Sequence, residues 1–131
     1  MTTLSHQEMP MITITKLSDC NLFINLSATV SHQDYEHVLQ PVLDELLHQH
    51  NNVNICIIFD DNFAGFELHA LLDEAQIGIK YWRQWHKIAL ISEPKWVHPI
   101  ATALEAVSPV AIEYFKQVIQ AELWFQEEDY F

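Results

Sequence analysis

Two adjacent carboxylates, Asp60 and Asp61, are the residues whose type and spacing most readily suggest chemistry in this chain. They follow the apolar segment Val53–Phe59, which is predicted to form a buried strand. The end of such a strand is where α/β sheets usually place functional residues. Paired carboxylates there could bind a metal ion or carry out acid–base chemistry. They could also cap the loop and the positive end of the next helix. We favour capping, because no third ligand stands nearby in the sequence.

Histidines, a glutamate and a cysteine offer weaker alternatives for chemistry. Glu67 and His69 could join His86 and His98 in a metal site, but residues two apart on a helix point in different directions. The chain has no HExxH spacing and no GxSxG, Walker A or GxGxxG pattern. Cys56 lies inside the predicted buried strand, where a thiol is usually inert. We therefore predict no metal site, no cofactor and no catalytic residue, and hence a protein that is not an enzyme.

An aromatic cluster indicates a binding surface more strongly than any of these groups. It joins loop 60–66 to the end of a helix predicted over 67–85, and Trp96 begins the helix after that. Apolar residues occupy more than one side of the helix predicted over 67–85. One side would pack against the sheet, so a second side of the helix should also be covered. That surface could be extra core, a contact for a partner, or the wall of an apolar pocket. The candidate partner- or ligand-binding residues are Phe63, Gly65, Phe66, Tyr81, Trp82 and Trp85.

The elements that would position this cluster begin with a hairpin and a helix. Alternating apolar residues predict strands over 11–17 and 22–27, paired as an antiparallel hairpin. Ser31, with Asp34 three residues later, resembles a capping box at the start of a helix. Pro41 interrupts that helix, so we expect a short turn before it and a longer helix that starts there.

The rest of the chain alternates strands with helices. Strands are predicted over 53–59, 87–91 and 110–115, the last one near the sheet edge. Helices are predicted over 67–85, 94–107 and 116–127, and Pro99 shortens or bends the second of them. The predicted fold is therefore α/β, with a mixed, mostly parallel sheet of about five strands, four main helices and the order ββαβαβαβα.

Length and composition limit the function classes. The 131 residues fit one domain, which we place at 11–131 after a polar lead-in at 1–10. The start of the chain lacks the features of a secretory signal, no apolar run reaches roughly 18 residues, and two cysteines make a disulfide framework improbable. A cytoplasmic location follows. Eighteen Asp and Glu against six Lys and Arg give a formal net charge of -12, which disfavours nucleic acid and membrane surfaces as partners.

A set of short motifs, taken in order, resembles a known family. The motifs are Asp34-Tyr35 with Pro41, Phe63-Ala64-Gly65-Phe66, Tyr81-Trp82-Arg83-Gln84-Trp85, His86-Lys87-Ile88-Ala89-Leu90-Ile91 with Lys95-Trp96, Tyr114-Phe115 and Ala121-Glu122-Leu123-Trp124. Over about residues 11–126 they resemble the SpoIIAA-like family of small bacterial proteins, in the STAS/SEC14-like superfamily. The resemblance implies a STAS-type fold, related in shape to anti-sigma-factor antagonists and to lipid-carrying CRAL-TRIO domains. Most members have no assigned biochemical activity.

One departure from the superfamily pattern bears on mechanism. Anti-sigma-factor antagonists carry a phosphorylatable Ser where the central strand meets the following helix. Here residues 60–67 contain no Ser or Thr, so a phosphate switch acting through added charge is not available at this junction.

Two function hypotheses from different classes follow. The first is a non-catalytic binding or regulatory module, in which the loop and the aromatic helix end bind a protein partner or a second copy of the chain. The alternative is a carrier or sensor of a small lipophilic ligand, in an apolar cleft lined by Phe63, Phe66 and Trp82. An enclosed pocket above roughly 300 Å³ would favour the carrier.

Overall fold

The computed structural model describes residues 11–18, 20–50, 52–66, 85–92 and 111–127. Seven strands lie in these ranges: β1 (Ile12–Ser18), β2 (Asn21–Leu26), β3 (Thr29–Val30), β4 (Val53–Phe59), β5 (Gly65–Phe66), β6 (Trp85–Ile91) and β7 (Ala111–Phe115). Five of them form one mixed sheet in the order β1-β2-β4-β6-β7. β1 and β2 pair antiparallel, and the pairs β2–β4, β4–β6 and β6–β7 are parallel.

The five-stranded sheet confirms the predicted hairpin, the central strand and the strand at the sheet edge. β4 is apolar on both faces because it lies between two parallel neighbours, and all but one of its seven residues are buried. The paired strands β3 and β5 form a separate two-stranded parallel sheet. These two short strands were not predicted. The helix predicted over 94–107 lies outside the described residues, and so does the one predicted over 67–85 except for its last residue. Trp85 was predicted to end that helix, but it begins β6, so the strand predicted over 87–91 starts two residues earlier.

A continuous helical run follows β3. It consists of α1 (His32–Asp34), a π-helical turn (Tyr35–Leu39) and α2 (Gln40–Gln49). The capping box predicted at its start is confirmed: the Asp34 backbone N–H donates to Ser31 Oγ over 3.1 Å, and the Ser31 N–H donates to Asp34 Oδ2 over 2.9 Å. The longer helix predicted to start at Pro41 is confirmed, because α2 begins at Gln40 with the proline, which lacks an N–H, in its first turn. The segment before it is not a separate turn: α1 and the wider π turn run into α2 without a break.

The sheet buries apolar side chains on both faces. On one face β1, β2, β4 and β6 pack against the run from α1 to α2, and this cluster contains Leu22, Ile24 and Leu90. On the other face α3 (Val118–Gln126) covers a smaller cluster that contains Phe23, Cys56 and Ala89. Neighbouring residues of one strand enter different clusters because strand side chains alternate between faces. In the described ranges no helix has the length and apolar character needed to cross a membrane.

A buried lysine joins β6 to the end of α3. Lys87 is only 4% exposed, and its Nζ donates to the backbone oxygens of Trp124 and Glu127 over 2.7 and 3.0 Å. The same ammonium lies 5.3 Å from the centroid of the Trp124 ring. The last carbonyls of a helix have no partner within the helix and carry partial negative charge. Lys87 therefore caps α3 from within the sheet.

Candidate functional site

The loop after β4 is closed by its own first residue. Asp60 accepts a hydrogen bond at Oδ1 from the Asn62 N–H over 2.8 Å, and its carbonyl accepts one from the Phe63 N–H over 3.0 Å. A short acidic side chain that bonds to the backbone two residues later is a common way to start a turn. The prediction that Asp60 caps the loop is confirmed, whereas capping by Asp61 and capping of the next helix stay predictions, since that helix was predicted for residues outside the described ranges.

Asp60 also ties the loop to the neighbouring strand. The Asn25 side chain donates to Asp60 Oδ2 over 3.0 Å, and the Asp60 N–H donates to the Leu26 carbonyl over 3.1 Å. Partial desolvation acts to raise the pKa of Asp60. Hydrogen bonds from the side chains of Asn25 and Ser27 and from the loop backbone outweigh it, and the pKa lies below its ordinary value of 3.8. The carboxylate is therefore ionised at neutral pH, and both of its oxygens accept hydrogen bonds.

A second set of backbone bonds holds the loop from the side of β3. The Ala28 N–H donates to the Asn62 carbonyl over 3.0 Å, and the Ala64 N–H donates to the Ala28 carbonyl over 2.7 Å. Ala28 makes both bonds with a φ of 53°, in the left-handed region that an alanine enters only at a cost. Backbone strain of this kind persists where the surrounding structure holds it in place, and it is concentrated at functional sites.

Gly65 and Phe63 have defined structural roles in the loop. Gly65 has a φ of 134°, which a residue with a Cβ would adopt only under strain. This conformation leads the chain into β5, which pairs with β3. Phe63 is 6% exposed, and its ring meets Phe59 edge to face with 4.8 Å between centroids. Phe63 is thus part of the core, and among the loop residues whose burial is described, 60–65, the exposed ones are Asp61, Asn62 and Ala64.

The other predicted site residues lie at or beyond the limits of the described ranges. The backbones of Phe66 and Trp85 belong to β5 and β6. Tyr81 and Trp82 lie outside the described residues. Contact of a partner or ligand with the six predicted residues therefore stays a prediction.

A cleft opens at the carboxyl ends of three parallel strands, beside the loop. It has a volume of about 470 Å³, and its described walls combine apolar residues from the strands with a polar rim. The apolar wall residues are Ile58, Phe59 and Ile91, and the polar residues are Asp60, Asp61, Ser92, Tyr114 and Lys116. The carboxyl ends of parallel strands are where α/β sheets usually bind ligands.

Three of the five polar wall residues were not predicted from the sequence. Ser92 directly follows β6, Lys116 directly follows β7, and Tyr114 is the fourth residue of β7. The missed signal was available: the strands were predicted parallel, so the residues that end or follow them had to share an edge with Asp60 and Asp61. Lys116 was assigned only to the beginning of a helix, and the structure shows that α3 begins two residues later, at Val118.

The structure also bears on the residues considered for metal binding and nucleophilic chemistry. Among the described residues no group of three or more His, Cys, Asp or Glu side chains is placed to hold a metal ion. Glu67, His69 and His98 lie outside those ranges. The predicted burial of Cys56 is confirmed. Desolvation and, after it, the nearby charge of Glu122 raise the pKa of the thiol to about 12, which keeps it protonated and a poor nucleophile.

Comparison with known proteins identifies the fold. The SpoIIAA-like family model matches residues 22–126. A similar solved structure is that of an uncharacterized DUF3478-family protein with a SpoIIAA-like fold, from Shewanella loihica PV-4. It is 22% identical, with a TM-score of 0.68, and the match covers 86% of this chain and 90% of that one. No curated protein sequence matches the chain. At this identity the solved structure is evidence for the fold alone, whereas the family model spans most of the chain, which confirms the resemblance seen in the motifs. This chain belongs to the SpoIIAA-like family.

Proposed function

We propose that this protein is a non-catalytic binding or regulatory module, and that the loop 60–66 together with the aromatic residues Tyr81, Trp82 and Trp85 forms its contact surface. The observation that carries the proposal is the way the loop is built. Side-chain bonds to Asp60, the pairing of β3 with β5 and the burial of Phe63 fix the loop from three directions. Asp61, Asn62 and Ala64 nevertheless remain exposed.

A loop fixed in this way is suited to recognition. Association costs free energy when a flexible segment must be ordered, and a loop that is already ordered avoids much of that cost. The expected target is a protein partner or a second copy of the chain, with Phe66, Tyr81, Trp82 and Trp85 supplying apolar contact beside the loop. A cytoplasmic location is part of the proposal.

The chemistry of the loop supports binding rather than catalysis. Asp60 has a lowered pKa and accepts hydrogen bonds at both carboxylate oxygens, which makes it a poor general base. Residues 60–67 contain no Ser or Thr, so a phosphorylation switch of the anti-sigma-factor antagonist type has no acceptor at this junction.

The proposal is tested by a substitution on the exposed part of the loop. Ala64→Arg adds a large cationic side chain at an exposed position and keeps the backbone bond from Ala64 to Ala28. Gln126→Arg adds the same side chain at an exposed position on α3, and serves as the matched control. Native mass spectrometry of freshly purified protein gives the stoichiometry, and sedimentation gives the strength of self-association.

We expect Ala64→Arg to weaken association at least tenfold, with the unfolding temperature unchanged, and Gln126→Arg to behave as the wild type. The double variant Phe66→Ala with Trp82→Ala is expected to weaken association in the same way. Wild-type association that survives Ala64→Arg, or a wild type that is monomeric and binds nothing, contradicts the proposal.

One observation favours a second candidate, the binding of a small molecule. The cleft has a volume of about 470 Å³, which exceeds the roughly 300 Å³ at the lower end of the range for ligand-binding pockets. It is open to solvent and its rim carries Asp60, Asp61 and Lys116. A carrier of a purely lipophilic molecule would need an enclosed apolar pocket, so this cleft suits a ligand that has polar groups as well as an apolar part.

A further inference from the structure

We infer that the cleft at the carboxyl edge of the sheet binds a small zwitterion with an apolar side group, of which an apolar amino acid is the simplest example. The inference rests on the second candidate above, the binding of a small molecule, and names the chemical class of that molecule. The cleft shares Asp60 and Asp61 with loop 60–66, and its other walls come from β4, from β6 and β7, and from the residues that follow β6 and β7.

The size and floor of the cleft define the apolar part of the ligand. A volume of about 470 Å³ corresponds to roughly fifteen non-hydrogen atoms, at the ~30 Å³ that one water molecule takes up in the liquid. Phe59 and Ile91 are buried and line one part of the cleft, and Ile58 is partly exposed. An aromatic or branched aliphatic side group that packs against Ile58 would remove exposed apolar surface from water, whereas Phe59 and Ile91, at 7% and 8% exposed, add little.

Two opposite charges on the rim define the polar part. Asp61 follows β4 and Lys116 follows β7, with β6 between them, and both are exposed. Two strand spacings place the two backbones about 10 Å apart. The short Asp61 side chain and the long, flexible Lys116 side chain can therefore contact opposite ends of one small ligand. Asp61 would bind an ammonium group and Lys116 a carboxylate.

The other charged groups nearby favour this assignment. The Asp60 carboxylate already accepts hydrogen bonds from Asn25 and Asn62, so Asp61 is the better acceptor for a ligand. Of the lysines in the described part of the chain, Lys16 pairs with Glu122 over 2.6 Å and Lys87 is buried beneath α3. Lys116 is the one that lines the cleft. The net charge of -12 repels simple anions. A zwitterion has no net charge, so this repulsion does not oppose its binding.

The test uses three ligands that differ by one charge at a time, and two variants that each remove one charge from the rim. The ligands are L-phenylalanine, phenethylamine, which lacks the carboxylate, and 3-phenylpropanoate, which lacks the ammonium. The variants are Asp61→Asn and Lys116→Gln. Amide chemical-shift changes measured by NMR during titration report both affinity and location, and they detect binding in the millimolar range.

For the wild type we expect L-phenylalanine to bind about three- to tenfold more tightly than either analogue, the range that partly exposed charge pairs supply. Shift changes should centre on Ser92, Tyr114 and Lys116. In Lys116→Gln, L-phenylalanine should bind no more tightly than phenethylamine. In Asp61→Asn, it should bind no more tightly than 3-phenylpropanoate.

Three results would overturn the inference: no shift change with L-phenylalanine, changes that centre away from the cleft, or equal affinity for an uncharged apolar probe such as propylbenzene. An equal loss of affinity for all three ligands in both variants also contradicts it. Each variant should abolish only the preference that depends on the charge it removes. Lys116→Gln should self-associate as the wild type does, because Lys116 lies outside loop 60–66. Failure of zwitterion binding therefore leaves the contact role of the loop standing, and loss of association in Ala64→Arg leaves zwitterion binding standing.

Discussion

Replacing Lys87 with methionine tests whether a buried ammonium fixes the end of α3. The substitution keeps a long unbranched side chain and removes the charge and three donors. It therefore deletes the hydrogen bonds of 2.7 and 3.0 Å to the carbonyl oxygens of Trp124 and Glu127, together with the contact to the Trp124 ring. The outcome depends on how these losses compare with the cost of burying an ammonium group.

The magnitudes predict a net loss of stability. Hydrogen bonds to a charged group contribute about 1.5–3 kcal/mol each. A cation at a partly buried helix end adds up to about 2 kcal/mol, and a desolvated cation–π contact adds a comparable amount. Relief of the desolvation penalty, which is several kcal/mol for one buried ion, offsets much of this total. We expect the free energy of unfolding to fall by about 2 kcal/mol, a large share of the 5–15 kcal/mol typical of a domain.

The assay is urea unfolding at neutral pH, followed by near-ultraviolet circular dichroism and by hydrogen exchange of the α3 amides. Lys16→Met and Lys116→Met are matched controls, because they make the same chemical change at other positions. Lys16 is half exposed in its pair with Glu122, so its loss should cost no more than about 1 kcal/mol. Lys116→Met should change stability by less than about 0.5 kcal/mol. If Lys87→Met falls within the range of these controls, or if the α3 amides exchange no faster, then Lys87 does not cap the helix.

Three further predictions follow from the described geometry. Ala28→Gly should leave the free energy of unfolding unchanged or raise it by up to about 1 kcal/mol, because relief of the strain at a left-handed φ offsets the entropy cost of glycine. Thermal unfolding measures this, and a clear loss of stability would show that Ala28 is unstrained. In thiol labelling of the native protein, partly exposed Cys20 should react first and buried Cys56 only on unfolding, since the pKa of Cys56 is raised to about 12; equal native rates would refute this. Asp60→Asn should lower the free energy of unfolding at neutral pH. The pKa of Asp60 is lower in the folded than in the unfolded protein, so the ionised carboxylate adds stability that protonation removes. The difference in unfolding free energy between variant and wild type should therefore shrink as the pH falls below 3.8. A deficit independent of pH in urea titrations would contradict that account.

The sequence predicted the elements whose signals are local. The segment Val53–Phe59 is a run of apolar residues of strand length, and its bounds match β4. Ser31 and Asp34 carry the capping box in four consecutive residues, and the structure has that box. Alternation at the start of the chain was enough to predict the β1–β2 hairpin. In each case the deciding contacts lie within the segment or between adjacent segments.

The parts that could not be predicted depend on contacts between distant residues. β3 and β5 contain two residues each, too few for any periodicity, and Thr29 pairs with Gly65 across 36 positions of the chain. Lys87 looked like the polar start of a strand, because its burial becomes evident only once α3 is folded over it. The cleft is of the same kind, since its walls come from the ends of strands that are far apart in the chain.

Phe63 shows why the contact role of the loop must be tested at an exposed residue. A phenylalanine in a loop next to a glycine was a reasonable candidate for contact, yet it is 6% exposed and packs edge-on against Phe59. Phe63→Ala would remove core packing worth about 3–5 kcal/mol, so any loss of association in that variant could report unfolding rather than a lost contact. Ala64 is one residue away, exposed and joined to the fold through its backbone N–H. A charge placed there changes the surface and leaves the core in place, so its effect on association measures contact alone.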